Sequence, residues 1–87
     1  MERLKNKKAV ITGGNSGIGL AAARAFVREG AKVLIAGRNQ ETLDQAVAGL
    51  GVDAVGVKAD ISRSDGLDLV FDKARECFAT LDVVFIN

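Results

Sequence analysis

The chain has 87 residues with 48% hydrophobic content and a formal net charge of +1, which suits one domain, or part of one, with a buried core. One cysteine and no histidine exclude an internal disulfide, a cysteine-built or zinc metal site and histidine-based acid–base catalysis within this sequence. The interspersed charges, the lack of Tyr and Trp, and the lack of an apolar run of membrane-spanning length predict no nucleic-acid partner, no membrane association and a cytoplasmic location.

The first element that the sequence predicts is an apolar strand that leads through a glycine-rich turn into a helix. The strand covers Lys7–Thr12, and Gly13 and Gly14 then permit a sharp turn because glycine adopts positive φ without steric cost. Gly17 and Gly19 bring backbone N–H groups close to the start of the helix, where these groups lack helical partners and the helix dipole is positive. The turn is therefore a candidate anion site for a pyrophosphate.

Short side chains in and after the turn extend this candidate anion site. We expect a diphosphate and its adjoining ribose to be held by Gly13, Asn15, Ser16, Ile18 and Gly19. For Asn15 and Ser16 the alternative is ordinary turn chemistry, and for the whole stretch it is a tight turn with glycines for packing only. No lysine lies in the register of the nucleoside triphosphatase phosphate loop, so that loop is excluded.

The remainder of the sequence alternates helical and strand patterns with short connections. Ile18, Ala22 and Phe26 are predicted to share one face of the first helix, which Gly30 ends. The elements that follow are a strand over Ala31–Ala36, a helix over Gln40–Ala48 ended by Gly49 and Gly51, a strand over Val52–Lys58, a helix with Ser64 as its N-cap, and a strand over Asp82–Ile86. Near the end of the last helix, Cys77 is interpreted as a buried structural thiol.

The element order β-α-β-α-β-α-β indicates the fold. With right-handed crossovers it predicts an α/β, Rossmann-type doubly wound parallel sheet, here partial, with the strand order 3-2-1-4. Val83–Ile86 is apolar on both faces with no following strand to pair with it, and an exposed apolar edge favours aggregation. We therefore expect either that another element covers this edge or, as the favoured interpretation, that residues 1–87 are the amino-terminal part of a longer protein.

The loop after the second predicted strand bears on the choice between two nicotinamide cofactors. A chain that binds NAD usually places an acidic residue there, which hydrogen-bonds the ribose 2′-hydroxyl. This sequence has Gly37 and Arg38 instead, and a guanidinium binds a 2′-phosphate through charge-assisted hydrogen bonds. The sequence therefore favours NADP(H) over NAD(H), with a solvated loop arginine as the alternative interpretation.

Several of these segments together resemble one known family. The pattern T-G-x-x-x-G-x-G over Thr12–Gly19, together with Arg38, Asp60 and Leu81–Val84, is similar to that of the short-chain dehydrogenase/reductase family, and the resemblance extends over essentially the whole sequence. It implies a single NAD(P)-binding domain over residues 1–87. It also implies an oxidoreductase that transfers hydride between a nicotinamide cofactor and a small carbonyl or alcohol substrate, and in this family the Gly-Arg pair goes with NADP(H).

The resemblance implies roles for three further positions. Asp60 would hydrogen-bond the adenine amino group while Ile61 packs on the ring; the alternative for Asp60 is a loop residue that helps to start the next helix. Asn87 aligns with the second Asn of the family's Asn-Asn-Ala-Gly run, where it would steady the sheet and border the cofactor ribose. Ile86 stands in place of the first Asn of that run.

The family's catalytic residues have no counterpart in this sequence. They are a Ser, a Tyr-x-x-x-Lys pair and a further Asn, all downstream of the matching segment, and this sequence contains no Tyr. The resemblance thus implies an enzyme whose catalytic part is absent here, so these residues alone are expected to be inactive, and at full length a homo-oligomer is expected. The alternatives are a non-catalytic dinucleotide-binding module and an inactive truncated product.

Overall fold

The computed structural model describes residues 4–13 and 17–86. Its elements are β1 (Lys8–Thr12), α1 (Gly17–Arg28), β2 (Lys32–Gly37), α2 (Gln40–Leu50), β3 (Ala54–Lys58), α3 (Ser64–Cys77) and β4 (Val83–Phe85). The paired strands run parallel, and their order across the sheet is β3-β2-β1-β4. The predicted α/β, doubly wound strand order is therefore confirmed.

The two central strands are buried on both faces, as their apolar runs predict. Val10 and Ile11 of β1 and Leu34 and Ile35 of β2 have no exposed surface. Removing such a side chain from water contributes about 1.5–3 kcal/mol. One face of the sheet packs under α1 and α2 and the other under α3, because β4 lies on the far side of β1 and a right-handed connection to it must cross the opposite face.

α2 and β3 differ in their bounds from the prediction. α2 continues to Leu50, so Gly49 lies inside the helix and does not end it. The helix ends at Gly51, which has a φ of 92° and donates its N–H to the Val47 carbonyl at 3.0 Å. Val52, predicted to open the third strand, is fully exposed in the turn before β3. The spacing of glycines did not show which of them adopts the positive φ that stops the helix.

Two side chains do not lie where helical periodicity placed them. Ile18 is 71% exposed, because α1 buries Gly19 and Ala23 instead, and these small residues let the helix approach the sheet closely. Cys77 is exposed, so its interpretation as a buried thiol is wrong. The chain leaves the helix at Phe78, whose extended backbone turns that aromatic ring into the core in place of the thiol.

Among the described residues, β4 is an edge strand of the sheet. It pairs with β1 through Val83–Phe85, and Val84 and Ile86 remain 43% and 73% exposed. Among the described residues no helix combines the length and apolar character needed to cross a membrane. The acidic and cysteine side chains of the same residues form no group of three with metal-binding geometry.

Candidate functional site

The carboxyl ends of β1, β2 and β3 surround one cavity of about 550 Å³, here called the strand-end cavity. It is lined by Gly13, Ala36, Gly37, Arg38, Asn39, Thr42, Ala59, Asp60, Ile61 and Ser62. Parallel strands bring their carboxyl ends to the same edge of a sheet, and ligands of open α/β sheets bind outside that edge. The structure therefore brings together four residues that the sequence assigned to cofactor binding: Gly13, Arg38, Asp60 and Ile61.

The glycine-rich turn supplies the wall of this cavity at the end of β1. Gly13 has a φ of 66° and donates its N–H to the Ala36 carbonyl at 2.7 Å, so the chain turns while it remains bonded to β2. Gly17 opens α1 with a φ of 56°, a conformation that favours glycine. The first turn of α1 carries no acidic residue, so no carboxylate opposes an anion there. Asn15 and Ser16 lie outside the described residues, as does Asn87.

Arg38 directly follows β2 and lines a second cavity as well as the strand-end cavity. This second cavity, here called the α3-side cavity, has a volume of about 410 Å³. Its charged lining residues are Arg38, Lys58, Asp60, Arg63 and Asp65. Arg38 is exposed and forms no salt bridge with another described residue, whereas Arg63 pairs with Asp65 at 3.2 Å. The Arg38 guanidinium is therefore available to an anionic ligand at the end of β2.

Asp60 follows β3, and hydrogen bonds from the next residues hold it on two sides. Its Oδ1 accepts the Ser62 N–H at 3.0 Å and the Ser62 hydroxyl at 2.6 Å, and its backbone carbonyl accepts the Arg63 N–H at 3.2 Å. The bonds from Ser62, followed by the positive charges of Arg38 and Arg63, hold the pKa of the Asp60 carboxyl below its usual value. Asp60 is thus a carboxylate at neutral pH, with Oδ2 outside both bonds to Ser62.

The turn after Asp60 also shows how α3 begins. Ser64 is the first residue of the helix and not its N-cap, since Arg63 holds that position and makes no side-chain capping bond. The alternative prediction for Asp60 was that it helps to start the helix. Its bonds to Ser62 agree with that prediction only in part. Those bonds close the turn ahead of the helix, but they reach none of the helical N–H groups.

Sequence reasoning missed two structural residues of the site. The Asn39 Oδ1 accepts the Thr42 N–H at 3.1 Å, so Asn39 caps α2 beside the strand-end cavity. Asparagine directly before a helical pattern is a recognised cap signal, so this role was accessible from the sequence. Gly66 lies in the first turn of α3, where an added Cβ would stand 1.9 Å from the Asp60 carbonyl oxygen. That contact depends on how the helix packs, and no local pattern indicates it.

Comparison with known proteins identifies the family to which this chain belongs. The sequence pattern of the family described as short chain dehydrogenase matches residues 7–87. The chain belongs to the short-chain dehydrogenase family. This confirms the predicted resemblance to the short-chain dehydrogenase/reductase family.

Relatives with known names are longer than this chain. The chain is 44% identical over 87 residues to the oxidoreductase asL5 of Sarocladium schorii, covering 100% of this chain and 35% of that protein. It is 42% identical over 88 residues to the NADP-dependent (R)-specific alcohol dehydrogenase of Lentilactobacillus kefiri, covering 99% and 35%. The chain thus spans about a third of the length of these relatives.

Solved structures agree with the sequence relatives. The 3-ketoacyl-(acyl-carrier-protein) reductase of Brucella melitensis, complexed with NADH, superposes with a TM-score of 0.89 at 34% identity over 93% of this chain and 34% of its own. A short chain dehydrogenase of Bacillus anthracis gives a TM-score of 0.90 at 32% identity over 97% and 35%. The chain accordingly has the NAD(P)-binding fold of an oxidoreductase family.

Proposed function

We propose that this protein is an NADP(H)-dependent oxidoreductase that transfers hydride between the nicotinamide cofactor and a small carbonyl or alcohol substrate. The observation that carries the choice of cofactor is Arg38, an exposed guanidinium lining the strand-end cavity at the position where NAD-binding chains usually have an acid. The relative from L. kefiri is named NADP-dependent, while the B. melitensis structure holds NADH. Family membership therefore leaves the choice open, and Arg38 favours NADP(H).

The adenosine half of the cofactor is assigned to the strand-end cavity. Arg38 would bind the 2′-phosphate, the Asp60 carboxylate would accept a hydrogen bond from the adenine amino group, and Ile61 would pack on the ring. These groups line one cavity of about 550 Å³, a size suited to a small ligand. The carboxylate of Asp60 is charged at neutral pH, as an acceptor for this amino group requires.

The pyrophosphate and its ribose are assigned to the glycine turn. The proposed contacts come from Gly13, Asn15, Ser16, Gly17, Ile18 and Gly19, with Asn87 bordering the ribose. Support for this assignment is the positive φ of Gly17 at the helix start and the absence of acidic residues from the first turn of α1. Ile18, which is 71% exposed beside the turn, offers an apolar surface to the ribose.

When bound, the cofactor supplies a hydride to a carbonyl or accepts one from an alcohol, and the residues of this chain bind and orient its adenosine half. We propose that the group that transfers the proton lies in a part of the protein outside this sequence, which contains no Tyr. A second candidate is a non-catalytic dinucleotide-binding module. A Tyr-x-x-x-Lys motif in the full-length protein together with oxidation of NADPH in the presence of carbonyl substrates would select the enzyme, which we propose to be a homo-oligomer.

The cofactor assignment is tested by reversing the charge of Arg38. Arg38→Asp is expected to weaken binding of 2′,5′-ADP about 30-fold, or about 2 kcal/mol, because the 2′-phosphate loses a charge-assisted bond and meets a carboxylate. Binding of 5′-AMP, which lacks that phosphate, is expected to change by less than about threefold. Isothermal titration calorimetry with both ligands measures the two effects.

A matched control separates the local effect of Arg38 from the change in net charge. Arg24 is an exposed arginine on α1 outside the strand-end cavity, so Arg24→Asp is expected to leave both affinities unchanged. Equal losses for 2′,5′-ADP and 5′-AMP in the Arg38 variant would contradict the NADP(H) assignment. If the unmodified protein binds neither ligand, the assignment of the cavity to a nucleotide is wrong.

A further inference from the structure

Gly66 brings the first turn of α3 into direct contact with the Asp60 peptide. A Cβ built on Gly66 would lie 1.9 Å from the Asp60 carbonyl oxygen, 2.6 Å from its carbonyl carbon and 3.2 Å from its nitrogen. All three are backbone atoms, so no side chain can rotate away to make room. Gly66 is buried, and the helix therefore sets where the Asp60 peptide lies.

Two other glycines show that this contact is unusual in kind. A Cβ on Gly56 of β3 would meet side-chain atoms only, Val47 Cγ2 at 3.0 Å and Leu43 Cγ at 3.1 Å, and a shift of a few tenths of an ångström would relieve these contacts. A Cβ on Gly49, inside α2, would meet no atom within 4 Å. Only backbone movement relieves the contact at Gly66, and that backbone belongs to a residue of the strand-end cavity.

Ser62 fixes the other end of Asp60. Its N–H and hydroxyl both bond Oδ1, at 3.0 Å and 2.6 Å, and so restrict rotation of the carboxylate. Oδ2 takes part in neither bond. The peptide of Asp60 is thus held by Gly66 and by the Arg63 N–H, while its carboxylate is held by Ser62.

We propose that Gly66 and Ser62 are positioning residues that orient the Asp60 carboxylate to select adenine over hypoxanthine nucleotides. This inference rests on the proposed function, to which it adds the residues that make adenine recognition selective. A carboxylate only accepts hydrogen bonds, so it attracts the 6-amino group of adenine and repels the 6-oxo group of hypoxanthine. That discrimination needs the accepting oxygen in place to within a fraction of an ångström.

The test compares 5′-AMP with 5′-IMP, which differ at this ring position. Gly66→Ala forces the Asp60 peptide away until the 1.9 Å approach exceeds 3.0 Å. The preference for 5′-AMP is expected to fall about tenfold or more. Ser62→Ala removes one of two bonds to Oδ1 and is expected to reduce the preference about two- to fivefold. Calorimetry on the full-length protein gives both dissociation constants for each variant.

The ratio of the two dissociation constants separates an effect on the position of the Asp60 carboxylate from an effect on folding stability. A merely structural role of Gly66 would weaken both nucleotides alike and leave the ratio unchanged. Gly49→Ala is the matched control, because it adds the same methyl group to a helix where space is open, and it is expected to retain the full preference. Retention of the preference in both Gly66→Ala and Ser62→Ala would overturn the inference.

The remaining outcomes separate this inference from the proposed function. A full-length protein that binds neither nucleotide contradicts the proposed function itself. One that binds both equally keeps a nucleotide site but overturns the inference about adenine. If Gly66→Ala fails to fold, Ser62→Ala decides alone, since Ser62 is exposed and its loss leaves the core intact. An unchanged ratio in that variant would overturn the inference.

Discussion

The two ends of the same parallel sheet are built in opposite ways. At the amino end, backbone hydrogen bonds tie the connecting segments together. The Leu4 N–H bonds the Glu29 carbonyl at 2.7 Å, and the Lys32 N–H bonds the Lys7 carbonyl at 3.0 Å. These bonds link the segment before β1 to the turn after α1 and to the first residue of β2. A cavity beside the segment that leads into β4 at this edge has a volume of about 190 Å³.

At the carboxyl end the loops that follow the strands leave space between them. The strand-end and α3-side cavities, of about 550 and 410 Å³, both open there. Arg38 and Asp60 are shared by the two cavities and carry opposite charges. Polar and charged groups therefore face space that a ligand can occupy, whereas at the amino end backbone N–H and carbonyl groups bond to one another.

We therefore expect folding stability and ligand binding to be separated along the length of the strands. A strand of five residues is about 17 Å long, so changes at one end need not disturb the other. Between the ends lie β1 and β2, whose apolar side chains are buried and support both ends. Substitutions in the middle, at the amino end and at the carboxyl end are thus expected to have three different signatures.

The largest effect is expected from the middle of the sheet, where a substitution should lower folding stability and thereby weaken binding as well. Ile35 of β2 is fully buried and pairs with Ile11 and Gly56 in the neighbouring strands. Ile35→Ala is expected to lower the free energy of unfolding by about 2–5 kcal/mol because it leaves a cavity in the core. Binding of 5′-AMP should weaken only as far as the folded fraction falls. Denaturant unfolding and calorimetry on the same samples measure both quantities.

The control for this substitution is an apolar residue outside the core. Val52 is fully exposed in the turn before β3, so Val52→Ala is expected to change the free energy of unfolding by less than about 0.5 kcal/mol. If the two variants were equally stable, the burial of β2 would not be the source of stability that the structure indicates.

A smaller effect is expected at the amino end, where stability should change without binding. An Oδ2 atom of Asp82 accepts the Lys8 N–H at 2.9 Å, and the Asp82 N–H bonds the Lys8 carbonyl at 2.9 Å, which extends the β1–β4 pairing. Asp82→Ala removes the side-chain bond and is expected to cost about 0.5–1.5 kcal/mol. Asp68, an exposed acid on α3, is the matched control for loss of one negative charge. A change in 5′-AMP affinity of the Asp82 variant would show that the ends are coupled.

The fold was predictable because its signals are local and repeat along the chain. Apolar runs gave the strands, and the short connections with right-handed crossovers gave the order 3-2-1-4 that the sheet has. The errors arose where packing decides between similar local patterns. Gly49 and Gly51 both look like helix stops, but Gly51 has the positive φ that ends α2. Ile18 and Gly19 begin equally good periodic stripes, and α1 buries the stripe that begins at Gly19.

The site was predictable only where a residue follows directly on a strand. Arg38 and Asp60 were placed at the cavity because topology brings strand ends together. Gly66 is six residues from Asp60, and its role arises from the angle at which α3 packs, which no spacing rule gives. The bonds between Ser62 and Asp60 are intermediate, since aspartate often bonds a residue two positions ahead in turns.

The smallest effect is expected at the carboxyl end, from the titration of Asp60. Hydrogen bonds from Ser62, and then the charges of Arg38 and Arg63, lower the pKa of Asp60 in the folded protein below its ordinary value of 3.8. As pH falls, the unfolded chain therefore takes up the proton first, so the stabilisation from this carboxylate is complete above that value and is lost as pH falls through the lower, folded pKa.

Asp60→Asn should thus differ from the unmodified protein by a constant amount between about pH 5 and 7, and this difference should shrink below about pH 4. Denaturant unfolding across this pH range measures it, and Ser62→Ala should move the acid-side loss toward higher pH because the largest cause of the shift is gone. A difference that instead grew as the pH fell would mean that folding raises the pKa, and that the carboxylate is not held by Ser62 in the way that adenine recognition requires.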